Sequence, residues 1–382
     1  MKIVFVSNYM THHQLPFCLE MHKLCEGDFY FVADIPIEQE RIAMGYPDMR
    51  SLYSFIIEAN ENEEQKVYAQ KLIDEADVVI IGSAPLQYIQ KRLKKNKLTF
   101  IYSERLYKQR YEAWKFPVRV IKHFWNYGRY KSLYLLCASA YTAADFAKTG
   151  LFINKAYKWG YFPKTTCYDD VEQLIACKEQ NSIMWAGRFL EWKHPDYAIR
   201  LAKRLKEAGY NFKLRMVGVG DLDLDMRVTV IEQHLEDHVE FTGPLKPEEV
   251  REFMDKTQVY LFTSDRGEGW GAVLNESMNS GCAVVASSCA GATPYLVQHG
   301  ENGLVYSENS EDQLFEQVCS LLDNHENAAR MGKKAYETLT EMWNAELAAQ
   351  RLTELCTALL RGETAPDLFE SGPCSKAKII KD

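Results

Sequence analysis

The chain has 382 residues, with 47% hydrophobic and 26% charged side chains and a formal net charge of −8. It is long enough for two ordinary domains and too apolar for an intrinsically disordered protein. Ten cysteines without one C-x-x-C pair exclude a disulfide scaffold and point to reduced thiols. The N-terminal apolar run 3–6 is too short for a signal-peptide core, and no apolar run reaches the ~18 residues of a membrane span. The chain is therefore expected in the cytoplasm or on its membrane face.

Short apolar runs alternate with helical patterns, which predicts an α/β protein with parallel sheets. In the first half, strands are predicted over 3–7, 29–33, 78–82, 99–102 and 134–138. The segment 158–163 (KWGYFP) reads as a connection. Strands are then predicted over 182–186, 213–217, 239–241, 259–262 and 283–287. Helices are predicted over 196–208 and 247–256, the latter starting on Pro247, whose missing N–H costs nothing at a first helical position. A last helix over 344–360 has apolar spacing that needs a partner. The polar tail 362–382 is predicted to be poorly ordered. The domains expected are 1–163 and 164–361, each a Rossmann-like unit, with the final helix of the second packing back. Charge is split between the halves: residues 1–160 hold 22 Lys and Arg against 17 Asp and Glu, and the rest hold 23 against 36. A basic first half suits an anionic partner.

Open parallel sheets bind ligands at the carboxyl ends of their strands. Residues 264–276 read SDRGEGWGAVLNE, a strand exit passing three glycines into a helix. Glycines let a backbone approach a ligand, and a helix N-terminus offers unpaired amides to phosphate. The amides of Gly271, Ala272 and Val273 are placed for a diphosphate. Glu276, about one turn into that helix, suits neutral hydroxyls such as a ribose diol better than phosphate. Without further context the same residues also fit a Gly-rich turn with two solvated glutamates.

The spacing from Glu268 to Glu276, the following SMNSGCAVVA, then GATPYLV and GENGLV at 300–305 resemble the family 4 retaining glycosyltransferases of the GT-B fold. The resemblance covers the second half and is weaker over the first. It implies two facing Rossmann-like domains with an interdomain cleft, and a second domain that holds a nucleoside-diphosphate sugar. Glu268 would touch hydroxyls of the transferred sugar and Glu276 the ribose. Arg188 and Lys193, in MWAGRFLEWKHP after the first strand of that domain, would bind the donor phosphates. Gly218 in LRMVGVGD and Leu245 in FTGPL resemble the family's surroundings of the base and ribose. Retention at the anomeric carbon is implied, with the leaving phosphate taking the acceptor proton. Rival readings are a nucleotide-sugar epimerase on the same fold and a non-catalytic sugar-nucleotide-binding protein.

Asp221–Asp225 reads DLDLD but follows a strand exit and starts a helix-like stretch, so it is read as surface and N-cap chemistry. No His/Cys cluster has metal-ligand spacing; neither a metal nor a cofactor is expected, the nucleotide sugar being a substrate. The first-strand loop SNYMTHHQLPF departs from the family's Gly-rich pattern. Asn8 and His13 there, with Glu104 and Arg105 after a later strand, are the acceptor-side candidates for a glycan or lipid-linked acceptor. Finally, residues 105–131 mix eight Lys and Arg with eight aromatics and one acid, and 91–97 adds five cations. Basic residues mixed with Trp and Tyr suit an anionic membrane surface, assigned here to 91–131, and the same composition could bind nucleic acid. Given the glycosyltransferase resemblance, a lipid-linked acceptor at the membrane explains more than nucleic acid does. A core helix with a solvated basic face is the plainer reading.

Overall fold

Residues 1–37, 49, 52–108, 114 and 116–380 are described by the computed structural model. The chain divides into two units, Met1–Lys164 with Trp343–Asp382, and Thr165–Met342. In the first, the strands are β1 (Ile3–Ser7), β2 (Phe29–Ala33), β3 (Ile56–Glu58), β4 (Val78–Ile81), β5 (Thr99–Ser103), β6 (Leu133–Cys137) and β7 (Ala156–Lys158). They form one sheet in the order β3-β2-β1-β4-β5-β6-β7. Ile3 lies opposite Phe29 on one side and Val78 on the other, and each of these pairings is parallel. All five residues of β1 and all of β6 are buried, as expected for a parallel sheet covered on both faces.

The second unit contains β8 (Glu179–Ala186), β9 (Lys213–Val217), β10 (Val239–Gly243), β11 (Thr257–Phe262), β12 (Ala283–Ser287) and β13 (Leu304–Tyr306). Their order is β10-β9-β8-β11-β12-β13, again with parallel pairings. The helix Pro195–Glu207 buries Tyr197, Ala198, Ile199, Leu201, Ala202 and Leu205 against this sheet. The helix Pro247–Lys256 starts on its proline, and the Lys246 N–H donates to Glu249 Oε2 at 2.8 Å. In each sheet the strand order reverses once, between β1 and β4 and between β8 and β11. Ligands of open α/β sheets bind beside that reversal, beyond the carboxyl ends of the strands. In the second unit this selects the loops after β8 and β11.

The α/β architecture with two parallel sheets is as the sequence predicts. The central strands fall within a few residues of their predicted positions; β3, β7 and β13 were not anticipated. All three are three-residue strands at sheet edges, too short to show a period. The final helix, Ala345–Leu360, packs back on the helix Leu15–Leu24 and groups with the first unit. The expectation of a poorly ordered tail is corrected. The tail is not loose: Tyr157 bridges Lys376, Lys158 N–H donates to the Ser375 carbonyl (2.7 Å), and Cys374 N–H donates to the Lys158 carbonyl (2.8 Å). The tail thus occupies the open hydrogen-bonding edge of β7, a position that a sheet otherwise leaves to solvent.

Candidate functional site

The loop after β8 is fixed by backbone-on-backbone packing. Gly187 N–H donates to the Val217 carbonyl and Phe189 N–H to that of Val219, both at 3.0 Å. Gly218 has φ +120°, and a Cβ there would lie 2.0 Å from the Gly187 carbonyl oxygen. Its own N–H donates to the Gly243 carbonyl at 2.9 Å, which ties the ends of β9 and β10 together two residues before Leu245. Gly218 is therefore a close-approach glycine under the loop that carries Arg188 and Lys193, a role the VGVG pattern alone does not reveal.

The loops after β8 and β11 are cross-braced. Asp265 N–H donates to the Trp192 carbonyl at 2.9 Å. Thr263 Oγ1 accepts from Trp185 Nε1 (2.8 Å) and donates toward the Lys193 and His194 carbonyls (2.6 and 3.0 Å). His194 adopts the left-handed region, φ +49°, immediately before the proline that opens the helix Pro195–Glu207. Its ring lies between two carboxylates: Nε2 is 3.3 Å from Asp265 Oδ2 and Nδ1 is 3.7 Å from Asp196 Oδ1. Hydrogen bonding to Asp196 and Asp265 raises the imidazolium pKa to about 9, against the opposing effect of burial. Sequence reasoning missed His194 and Asp265. The signal was a histidine before a helix-opening proline, and an Asp two residues before Gly267, whose amide Asp265 Oδ1 accepts at 2.6 Å.

This bracing brings Lys193 to Glu268. Nζ lies 2.6 Å from Oε2, with both side chains largely buried, and Ser264 Oγ donates to the same carboxylate at 3.2 Å. The Lys193 ammonium also sits 4.5 Å from the centre of the Trp192 ring. Sequence reasoning assigned Glu268 and Lys193 to different groups of one ligand; the structure joins them. Arg188 is exposed on the same loop.

Gly271 precedes the helix Ala272–Asn279 with φ +92°, and a Cβ there would stand 2.3 Å from Phe262 Cζ. Only glycine fits that turn. No side chain caps the helix, so the first-turn amides of Ala272 and Val273 present the positive end of the helix dipole. Trp270 is fully buried and its Nε1–H donates to Asn275 Oδ1 at 2.8 Å, which locks the turn to the helix. Glu276 lies one turn in, partly buried. Burial pushes its carboxyl up to about 7, and the Arg251 guanidinium pulls the other way. Arg251 also donates to the Glu276 carbonyl at 2.9 Å.

Asp221–Asp225 is on the surface, but its expected capping role is corrected. The helix Asp223–Glu232 has Leu222 at its N-cap, and Asp223 accepts from Arg227 Nε at 2.9 Å.

In the first unit, the Asn8 carbonyl accepts from Ile35 N–H at 2.9 Å and its side chain from Ser7 Oγ at 3.1 Å. The His12 and His13 rings lie 3.7 Å apart, and His13 stacks toward Tyr161 at 6.4 Å. Glu104 accepts from Tyr161 Oη at 2.6 Å and pairs with Lys108. The Arg105 side chain is buried, 4.0 Å from Asp145 and 4.7 Å from the centre of the Tyr141 ring. Asp145 also receives the Leu106 and Tyr107 amides. The basic run 91–97 is also corrected. Arg92 is buried and donates to the Ile73, Ala76, Asp77 and Leu98 carbonyls and to Thr99 Oγ1. Lys91 pairs with Asp74, and Lys97 donates to the Asp74 carbonyl. Arg110, Glu112 and Lys115 lie outside the described residues.

Two parallel Rossmann-like sheets, with cation, carboxylate and helix N-terminus gathered at the second sheet's reversal point, define an α/β protein of the GT-B fold. The comparisons with known proteins agree with that class. Residues 169–338, within the second unit, match the family described as glycosyl transferases group 1. The chain is 31% identical over 184 residues to a putative colanic acid biosynthesis glycosyltransferase, WcaL, of Escherichia coli, covering 46% of this chain and 45% of that one. It is 28% identical over 219 residues to a GDP-mannose-dependent phosphatidylinositol monomannoside mannosyltransferase of Mycobacterium tuberculosis, covering 56% and 51%. The matches thus span about half the length of these relatives. Among solved structures, HepE of Anabaena in complex with UDP superposes with a TM-score of 0.70 at 15% identity, covering 94% of this chain and all of that one.

Proposed function

We propose that the protein transfers a sugar from a nucleoside-diphosphate sugar, a UDP- or GDP-sugar, to a glycan or glycolipid acceptor, with retention at the anomeric carbon. The observation that carries this reading is the Lys193–Glu268 pair, 2.6 Å apart, beside the helix N-terminus that follows Gly271. An ammonium, an exposed Arg188 and open amides suit a diphosphate, whose charge grows as it leaves. Glu268 is then positioned for hydroxyls of the transferred sugar, and Glu276 for the ribose. Gly218 and Leu245 border the base and ribose end. No side-chain nucleophile is assigned: the leaving phosphate takes the acceptor proton. The similarity to a glycosyltransferase for colanic acid and to a lipid-directed mannosyltransferase supports a glycan or glycolipid acceptor, toward which Asn8, His13 and Glu104 are the candidates in the first unit.

Thermal unfolding against a panel of nucleoside diphosphates and their sugars tests the reading. A ligand at ~100 times its Kd adds about 2.7 kcal/mol of stability. One base should raise the midpoint by several degrees and the others by much less. No shift with any of them would reject a nucleotide-sugar site.

A further inference from the structure

We propose that the helix Phe116–His123 and the π-helical turn Phe124–Gly128 that continues it dock on an anionic lipid bilayer. The plainer expectation for this basic and aromatic segment was a core helix with a solvated charged face. The structure shows something different. The inward side carries His123 and Tyr127, whose rings face Phe146 at 5.8 and 5.9 Å, and His123 Nδ1 lies 3.1 Å from Thr149 Oγ1. The outward side is apolar. Val118 is 68% exposed, Ile121 60%, Phe124 54% and Trp125 57%. Positions 118 and 121 follow the i, i+3 spacing of one face of the α-helix, and Phe124 and Trp125 continue the exposed apolar surface in the π-helical turn. A helix on a water-facing surface normally turns its polar side outward, and this one turns out a branched aliphatic and aromatic stripe.

The charges around the stripe select its occupant. Lys122, Arg129 and Lys131 are exposed, and the Arg129 guanidinium lies 5.2 Å from the centre of the Trp125 ring. Residues 113–144 contain no Asp or Glu at all. A second copy of the chain docking face to face would set these cations against themselves with no acid from 113–144 to meet them. An anionic bilayer takes both halves of the surface: the apolar side chains enter the headgroup boundary, and the cations meet lipid phosphates. Trp at that depth is favoured because its ring is apolar and its N–H is polar. The cations of 91–97 belong to this surface only through Lys94 and Lys95, which are exposed; Lys91, Arg92 and Lys97 are engaged within the fold. The proposal stands on the first unit and needs no assumption about the donor, whose binding is measured without lipid.

The test is co-sedimentation of the full chain with vesicles of phosphatidylcholine alone, or with about one-third phosphatidylglycerol, at low and high salt. The native protein should sediment with the anionic vesicles, bind neutral ones far less, and release as salt rises. The triple variant Val118→Ser, Ile121→Ser, Trp125→Ser should lose binding at least tenfold. Lys122→Gln with Arg129→Gln should lose about fivefold per cation, from the usual strength of a cation near an anionic leaflet. Because these side chains face out, both variants should keep the native unfolding midpoint and nucleoside-diphosphate affinity. Native protein that ignores both vesicle types, or a triple variant that binds as well as the native one, would overturn the proposal. So would a dimer in solution that the triple variant dissolves, since the stripe would then serve a second copy.

Discussion

Lys193 and Glu268 form an ion pair with little access to water, 14% and 11% of each side chain remaining exposed. Desolvating two charges offsets much of their attraction, so such a pair adds little to stability. Its value lies in placing an ammonium and a carboxylate at one point, where a diphosphate would share the ammonium. Glu276 makes a separate prediction. Burial holds its carboxyl near pH 7, while accepting two ribose hydroxyls needs the ionised form. Below pH 7 a proton must be lost on binding, so nucleoside-diphosphate affinity should weaken up to about tenfold per pH unit. The diphosphate titrates in the same range, so the informative quantity is the difference from Glu276→Gln. That variant should bind more weakly at pH 8 and show a shallower slope; parallel curves would remove Glu276 from the ribose. The placement of Glu268 before the Gly271 turn and of Glu276 one turn into the helix was legible in the sequence, because the spacing spans a strand exit, a turn and one helical turn. The pairing of Glu268 with Lys193, 75 residues away, was not, and neither was the burial of Arg105 on Asp145. Both depend on which loops the sheet order makes neighbours.

The loops after β8 and β11 are held by few but well-placed contacts, and His194 is central among them. Its own helix contributes Asp196, which also pairs with Arg200, and the other loop contributes Asp265, flanked by Arg266. Tyr197 packs on the ring at 4.6 Å. The imidazolium pKa is raised in the fold to about 9 from its ordinary 6.5. A raised histidine stabilises fully below its unfolded pKa and loses that contribution as pH climbs through the folded one. Native protein should therefore lose on the order of 2 kcal/mol between about pH 6.5 and 9, after allowance for the ring's partial exposure. His194→Asn tolerates the left-handed backbone and should flatten that part of the stability–pH curve in urea titrations. An unchanged curve would mean that the ring's charge does not brace the loops. At this scale the sequence was most informative about buried central strands and capped helices. Pro247–Lys256 was read to the residue. The edge strands β3, β7 and β13 were missed because three residues show no period, and the order of the tail was missed because it depends on the free edge of β7, not on its own composition.

The two units differ in how they can be read. The second carries the reversal-point loops, the glycines that permit close approach, and the match over 169–338. The first carries the exposed stripe at 116–128 and a closing helix contributed from the far end of the chain. The acidic and basic halves seen in the sequence follow this division only in part, because several cations of the first half are spent inside the fold. No helix among the described residues is long and apolar enough to cross a membrane. For the whole protein the central claim is that one side chain, Glu268, serves the transferred sugar while Arg188 serves the diphosphate. Isothermal titration with the nucleoside diphosphate, run beside transfer kinetics for Glu268→Gln and Arg188→Ala, tests it most directly. Glu268→Gln should bind the diphosphate as well as the native protein or slightly better, since Lys193 is no longer shared, while turnover falls about a hundredfold or more. Arg188→Ala should weaken diphosphate binding by roughly ten- to hundredfold, the loss of a charged hydrogen bond of about 1.5–3 kcal/mol, and lower turnover as well. Loss of diphosphate binding in Glu268→Gln, with native binding in Arg188→Ala, would contradict the account and move the donor away from the loops after β8 and β11.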